Sequence, residues 1–153
     1  MYKKIFFFSI LFIFIDQLSK GLANLYMNLN QSIELIPSFL NLTYVNNTGA
    51  AFSILSGNSW LFIIIAIISL NIIYLFFIKD KKLNNLEIGT YSLLIGGIIG
   101  NLIDRILYGY VIDFLDFNIF GFDFAIFNIA DSFIVISVVL LIITILGEKK
   151  CKI

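Results

Sequence analysis

The sequence predicts an all-α polytopic membrane protein. It has four transmembrane helices, a small extracytoplasmic β-sheet or cradle between helices 1 and 2, and an interfacial segment between helices 3 and 4. Three observations carry this reading. Of 153 residues, 60% are hydrophobic and only 13% charged, against roughly 25% charged in soluble domains. Four apolar stretches approach the length of about 20 residues that a helix needs to cross a hydrocarbon core. Lysine and arginine gather on one set of flanks. The whole chain, 1–153, is expected to form a single membrane-embedded domain.

The first span is expected at 5–22. Lys3 and Lys4 before an apolar run fit a cleaved signal peptide, but Asp16 inside the run and Lys20 behind it do not, so the segment reads as a retained anchor. The connection 23–59 holds no Lys or Arg and is too long for a bare turn. Apolar and polar residues alternate over 32–36 and 39–45 with the only proline, Pro37, between them, which predicts a hairpin or sheet on the outer surface. Gly49-Ala50-Ala51 after Asn46 and Asn47 suggests a tight turn leading back to the membrane.

The second span is expected at 60–78 and the third at 86–107, with Lys79, Lys81 and Lys82 around the short connection between them. The connection 108–124 mixes aromatics with Asp113, Asp116 and Asp123 and suits the headgroup level. The fourth span is expected at 125–146, followed by Lys149, Lys150 and Lys152. The positive-inside rule then places both termini and the 79–85 connection in the cytoplasm and the two long connections outside.

Composition excludes much. Net charge is zero and no basic stripe appears, so no nucleic-acid partner is expected. The chain has no histidine, which removes His-based acid–base work, Ser/Cys-His triads and almost every zinc site. Its one cysteine, Cys151, lies among lysines as the third residue from the end and is a poor nucleophile candidate. No metal and no cofactor is expected.

Charge inside a span costs about 2.5–3.5 kcal/mol per group on insertion scales, so each such group is a functional candidate. Asp16 and Lys20 lie in the outer half of the first span and can pair at i, i+4, either as a structural ion pair or as a substrate contact. Asn101, Asp104 and Arg105 come in the last two turns of the third span, at i, i+3 and i+4. Asp104 beside Arg105 reads as a neutralised cluster bracing helices. Asn128, Asp131 and Ser132 open the fourth span. Gly96 and Gly100 form a small-xxx-small step that admits a neighbouring helix. Asp116, Asp123 and Glu34 read as solvated, and Asp80 and Glu87 as screened on the cytoplasmic side. Asp131, with no basic residue near it in sequence, and Asp113, in an apolar setting, resist a structural explanation best.

A paired-aspartate hydrolase is the chief hydrolytic option left. Two carboxyls within about 3 Å share a proton: the ionised member activates water and the protonated one assists the carbonyl and leaving group. Three rivals stand beside it. A Ser/Lys peptidase would use Lys20 with Ser19, Ser53 or Ser56. A presenilin-type protease lacks its G-x-G-D signature here. A small ion or proton conduit would spread ionisable groups through the membrane depth, whereas these crowd one surface.

Five strings, in order, resemble the lipoprotein signal peptidase (signal peptidase II) family of bacterial membrane aspartyl peptidases over nearly the whole chain. Asp16-Gln17-Leu18-Ser19-Lys20 resembles D-Q-x-[ST]-K, and Asn47 through Phe52 lies in N-x-G-A-A-F. The run from Gly96 to Arg105 resembles G-G-x-x-G-N-x-x-D-R. Val111-Ile112-Asp113-Phe114 resembles V-V-D-F, and Phe127-Asn128-Ile129-Ala130-Asp131-Ser132 resembles F-N-x-A-D-S.

The resemblance implies cleavage of a diacylglyceryl-modified prolipoprotein just before its lipidated cysteine, with Asp113 and Asp131 as the catalytic pair. It makes Asn47, Asn101, Arg105 and Asn128 polar lining, Asp104 a supporting charge, Asp16 and Lys20 structural or substrate-adjacent, and the 23–59 connection a substrate cradle. It also implies a multi-pass protein of the bacterial cytoplasmic membrane with its site on the outer side, whose partners are the prolipoprotein and membrane lipid. A monomer is expected. Ala125 departs from the proline that relatives often carry before the last motif, leaving the start of the fourth span open.

Overall fold

A computed structural model describes residues 1–49, 55–119 and 122–150. Most of the turn expected at 49–51, together with Phe52, Ser53 and Cys151, lies outside the described residues. Among those residues, four helices are long and apolar enough to cross a membrane. Helix α1 spans Tyr2–Tyr26. Helix α2 spans Ser59–Ile72 and runs on as a π-helical turn over Ile73–Ile78. Helix α3 spans Asn85–Tyr108 and α4 spans Ile129–Lys150. Their outward surfaces are Ile, Leu, Val and Phe, many of them exposed, as expected where lipid replaces water and the backbone bonds within each helix.

Helix α3 is the hub, packing against α1, α2 and α4. Its start is fixed by a capping box in which Asn84 accepts from the Glu87 amide while the Glu87 carboxylate accepts from the Asn84 amide. The small-residue stripe sets its close contacts. A Cβ added at Gly96 would sit 2.7 Å from the Phe12 Cβ on α1, and one at Gly97 would sit 2.5 Å from the backbone oxygen of Ala130 on α4. One at Gly100 would sit 2.5 Å from an Asp16 carboxylate oxygen. Gly97→Ala therefore has to push the first turn of α4 away. It is expected to destabilise the protein by about 1–3 kcal/mol, the usual range for overpacking. Thermal unfolding in detergent checks this against Gly21→Ala, whose added Cβ meets nothing within 4 Å.

The connections from α1 to α2 and from α3 to α4 form one antiparallel sheet of order β1-β2-β3-β4. Strands β1 (Ser32–Ile36) and β2 (Leu40–Asn47) make the expected hairpin, turning at Ser38 with φ 58°. The 108–124 connection, read as interfacial, supplies β3 (Val111–Ile119) and the short β4 (Phe122–Asp123). In β3 the side-chain alternation decides what faces what. Ile112 and Phe114 pack with Tyr44 against Ala23 and Met27 at the end of α1, so Asp113 between them faces the other way. Its partner across the ladder is Val45.

The chain from 125 to 128 is not helical, and α4 begins only at Ile129. The Phe127 carbonyl accepts from the amides of Phe114 and Leu115, and the Phe127 amide donates to the Leu115 carbonyl at 2.8 Å. That short pairing pins the start of α4 beside Asp113.

Candidate active site

Each polar side chain of the site is delivered by a rigid element. Helix α1 supplies Asp16, Gln17 and Lys20, α3 supplies Asn101, Asp104 and Arg105, and β2 and β3 supply Asn47 and Asp113. The cap and first turn of α4 supply Asn128 and Asp131. They form two clusters joined by two asparagines.

The first cluster is ionic and almost fully buried, Asp16, Lys20 and Asp104 being 0%, 1% and 1% exposed. Lys20 Nζ lies 2.8 Å from Asp16 Oδ2 and 3.1 Å from Asp104 Oδ2, and donates to Asn101 Oδ1 at 2.9 Å. An ammonium has three donors, and all three are engaged. The carboxylates use their remaining oxygens. Asp16 Oδ1 accepts from the Ala130 amide at 2.9 Å, satisfying one of the unpaired donors at the start of α4. Asp104 Oδ2 also accepts from the Ile112 amide at 3.1 Å. Gln17 Nε2 reaches Asp104 Oδ1 at 2.9 Å, Asp16 Oδ2 at 3.2 Å and the Gly100 carbonyl at 3.1 Å.

The expected Asp16–Lys20 pair is therefore present, but the partner of Asp104 is not its neighbour. Adjacent helical positions point about 100° apart, so Asp104 turns to Lys20 across the interface with α1 while Arg105 turns toward α2. The Arg105 guanidinium lies over the Phe62 ring, 4.9 Å from its centroid, and donates to the Gly49 carbonyl at 3.1 Å. It ties α3 to α2 and to the end of the sheet. Gln17 was legible only as a letter inside the first string. Its role depends on a helix–helix contact spanning more than eighty positions, which no local pattern discloses.

The second cluster is the carboxylate pair. Asp113, 2% exposed, accepts from Asn128 Nδ2 at 2.6 Å and from Asn47 Nδ2 at 2.8 Å, one on each oxygen. Asp131 accepts from Asn101 Nδ2 at 2.7 Å and from the Asn128 backbone amide at 3.3 Å. In return Asn128 Oδ1 accepts from the Asp131 amide at 2.8 Å. Asn128 and Asp131 thus make a reciprocal capping box at the start of α4, with Asp131 three residues beyond the cap. One residue, Asn128, holds an oxygen of each carboxylate. Its side chain also donates to Asn101 Oδ1 at 3.0 Å, which links the pair to Lys20.

Asp113 and Asp131 both line a cavity of about 300 Å³ together with Asn47, Asn101, Arg105 and apolar Val111 and Val135. Asp16, Lys20 and Asp104 are not among its lining residues. Each carboxylate oxygen has two lone pairs, so the bonds to the asparagines leave acceptor capacity facing the cavity. Burial away from water, and then the Asp131 carboxylate nearby, push the Asp113 carboxyl up to about 7, against the opposing bonds from Asn47 and Asn128.

The Ser/Lys alternative finds no support in this arrangement. Lys20 is saturated, and the Ser19 hydroxyl donates to the Asp16 carbonyl at 2.7 Å. Of the groups read as solvated, Asp116 accepts from Thr43 at 2.6 Å within the sheet and Glu34 accepts from the Ser38 amide in the hairpin turn.

Comparison with known proteins gives a consistent result. Residues 8–147 match the family described as Signal peptidase (SPase) II. A lipoprotein signal peptidase of Staphylococcus haemolyticus is 46% identical over 144 residues, 94% of this chain and 91% of that protein. One of Staphylococcus aureus is 47% identical over 144 residues, 94% of this chain and 88% of the relative. A bacterial membrane enzyme solved by the in meso method at 2.3 Å superposes with a TM-score of 0.89 at 45% identity, covering 97% of this chain and 91% of that one. A second, solved at 1.9 Å, gives 0.83 at 46%, covering 93% and 92%.

Proposed function

Because the chain belongs to the signal peptidase II family, a family of membrane proteases, we propose that it removes the signal peptide from prolipoproteins by hydrolysis just before a diacylglyceryl-modified cysteine. The observation that carries the mechanism is that Asp113 and Asp131, from separate elements, line one cavity and are held through a single residue, Asn128.

On this reading the pair holds one proton near neutral pH. The ionised carboxylate takes a proton from water as its oxygen attacks the scissile carbonyl, while the protonated partner hydrogen-bonds the carbonyl oxygen. Collapse of the tetrahedral intermediate transfers a proton to the amide nitrogen and breaks the C–N bond. The signal peptide leaves with a new carboxyl end, the cysteine keeps a free amine, and the pair regains a single proton. The two groups titrate as a unit, so acid and base belong to the pair. Asn47, Asn101 and Asn128 orient the carboxylates, and Arg105, which lines the same cavity, orients the peptide. Asp16, Lys20 and Asp104 brace the helices.

The depth of the site suits this substrate. A diacylglyceryl group holds the cysteine at the membrane surface, and the carboxylates stand at the outer ends of α3 and α4. Lipid and signal-helix binding then supply part of the catalysis as orientation. The protein works in the bacterial cytoplasmic membrane as a single-domain monomer, with both termini inside and the cavity facing outward.

The test of the activity is cleavage of a diacylglyceryl prolipoprotein by purified protein in detergent, with the product mass read out. A mature fragment beginning at the lipidated cysteine is expected; cleavage at another bond, or none, contradicts the reading. The pH profile tests the chemistry. A carboxyl raised to about 7 keeps its proton below that pH and loses it above, so kcat/KM is expected to fall on the alkaline side with a midpoint near 7. A profile flat to about pH 9 would oppose a shared proton.

A further inference from the structure

At the N-terminal end of α1 lies a second and larger cavity, about 620 Å³, at the opposite end of the bundle from the carboxylates. It is a groove between the first turns of α1 and α3. Its mouth carries Lys3 and Lys4, and its walls are Phe7 and Phe12 of α1 and Ile88 of α3. Gly89 forms part of the floor, where an added Cβ would meet nothing within 4 Å. The groove closes where α1 and α3 meet at the Gly96–Phe12 contact.

The two ends of this groove ask for different chemistry. Lys3 and Lys4 are exposed, and neither makes an ion pair among the described residues. The walls below them are aromatic and aliphatic. A ligand with an anionic head at the membrane surface and a hydrocarbon tail running into the bilayer matches both. The sequence places this end on the lysine-rich side, where anionic lipid is attracted to basic residues near a span.

We propose that this groove binds one anionic phospholipid of the lysine-side leaflet, its phosphate on Lys3 and Lys4 and an acyl chain along Phe7, Phe12 and Ile88. Two exposed lysines at a headgroup give the site a charge preference, and the apolar trough below gives it a stoichiometry of one. The bound lipid wedges α1 against α3 at the end remote from the ionic cluster.

Native mass spectrometry of the full chain in detergent tests the proposal, with phosphatidylglycerol or phosphatidylcholine titrated in. A single phosphatidylglycerol adduct is expected at concentrations about tenfold below those at which phosphatidylcholine binds. Lys3→Gln with Lys4→Gln is expected to erase that preference. Gly89→Leu, which fills the floor without changing charge, is expected to weaken adducts of both lipids. Lys81→Gln with Lys82→Gln removes the same charge elsewhere on that side and is expected to leave the preference intact.

Equal binding of the two lipids by the unaltered chain would overturn the proposal. So would an equal loss in the Lys81/Lys82 variant, which would mean diffuse surface attraction, or displacement of the adduct by inorganic phosphate alone. An adduct unaffected by Gly89→Leu would mean that the acyl chain lies elsewhere. Because the readout is lipid mass, the result is independent of peptidase activity.

Discussion

Asp131→Asn and Asp113→Asn are each expected to lower turnover of a lipidated prolipoprotein by roughly 10⁴-fold while leaving a folded protein, because groups acting as one acid–base unit fail together. The folded state is preserved for a specific reason. At 131 an asparagine keeps one carbonyl oxygen for either the Asn101 amide or the Asn128 backbone amide, and the Asn128 side chain still caps the Asp131 position through the backbone. At 113 an asparagine keeps one oxygen for Asn128 or Asn47. Each variant loses one hydrogen bond, worth about 1–3 kcal/mol if the donor is left buried, and also relieves a buried charge.

Asp104→Asn is expected to behave in the opposite way. Asp104 does not line the cavity but meets Lys20, Gln17 and the Ile112 amide. Its loss therefore costs stability first, and the folded fraction keeps measurable turnover. Assays normalised to folded protein separate the two outcomes. Full activity in both the Asp113 and Asp131 variants would rule out the aspartyl mechanism.

The second large effect is expected on stability. Lys20→Met keeps the chain length but removes the one cation between Asp16 and Asp104. Both carboxylates are buried, and Asn101 Oδ1 loses a charged donor in the same stroke. Breaking a buried ion pair from one side costs about 3–5 kcal/mol because a charge is left behind uncompensated. At about 2–4 °C per kcal/mol for a chain of this size, the unfolding midpoint in detergent is expected to fall by roughly 10 °C or more. Adding Asp104→Asn to Lys20→Met is expected to restore part of the loss, since only one carboxylate then remains unpaired. An unchanged midpoint in the single variant would show that Lys20 is not the tie between α1 and α3.

What the sequence disclosed and what it withheld divide along the range of the interactions. The four spans, the hairpin over 32–45 and the Asp16–Lys20 pair rest on neighbours in the chain, and hydropathy, alternation and helical spacing make them readable. The stripe at Gly96 and Gly100 announced close packing, though not that Gly97 would face the Ala130 carbonyl. Strand β3 was hidden because its partner β2 lies some seventy positions away and its aromatic–aspartate mixture reads equally well as interfacial.

The partner of Asp104 was hidden in the same way. Sequence offers Arg105 and the fold offers Lys20, since neighbouring helical residues diverge while distant ones converge. The late start of α4 follows from Phe127, whose backbone pairs with Leu115 of β3 instead of entering the helix. The same pairing brings Asn128 to Asp113 across 15 positions of the chain, and that is how two neighbouring strings arrive at one cavity.

The claim that Asp113 and Asp131 act as one unit is tested most directly by the carboxyl titration of Asp113, followed by carbon-13 NMR of aspartate-labelled protein in detergent. In the unaltered chain Asp113 is expected to titrate at about 7, and in Asp131→Asn to titrate lower, because the neighbouring carboxylate is one of the two causes that raise it. Titration of Asp113 in the ordinary carboxylate range in the unaltered chain, or at the same pH with and without Asp131, would contradict the account.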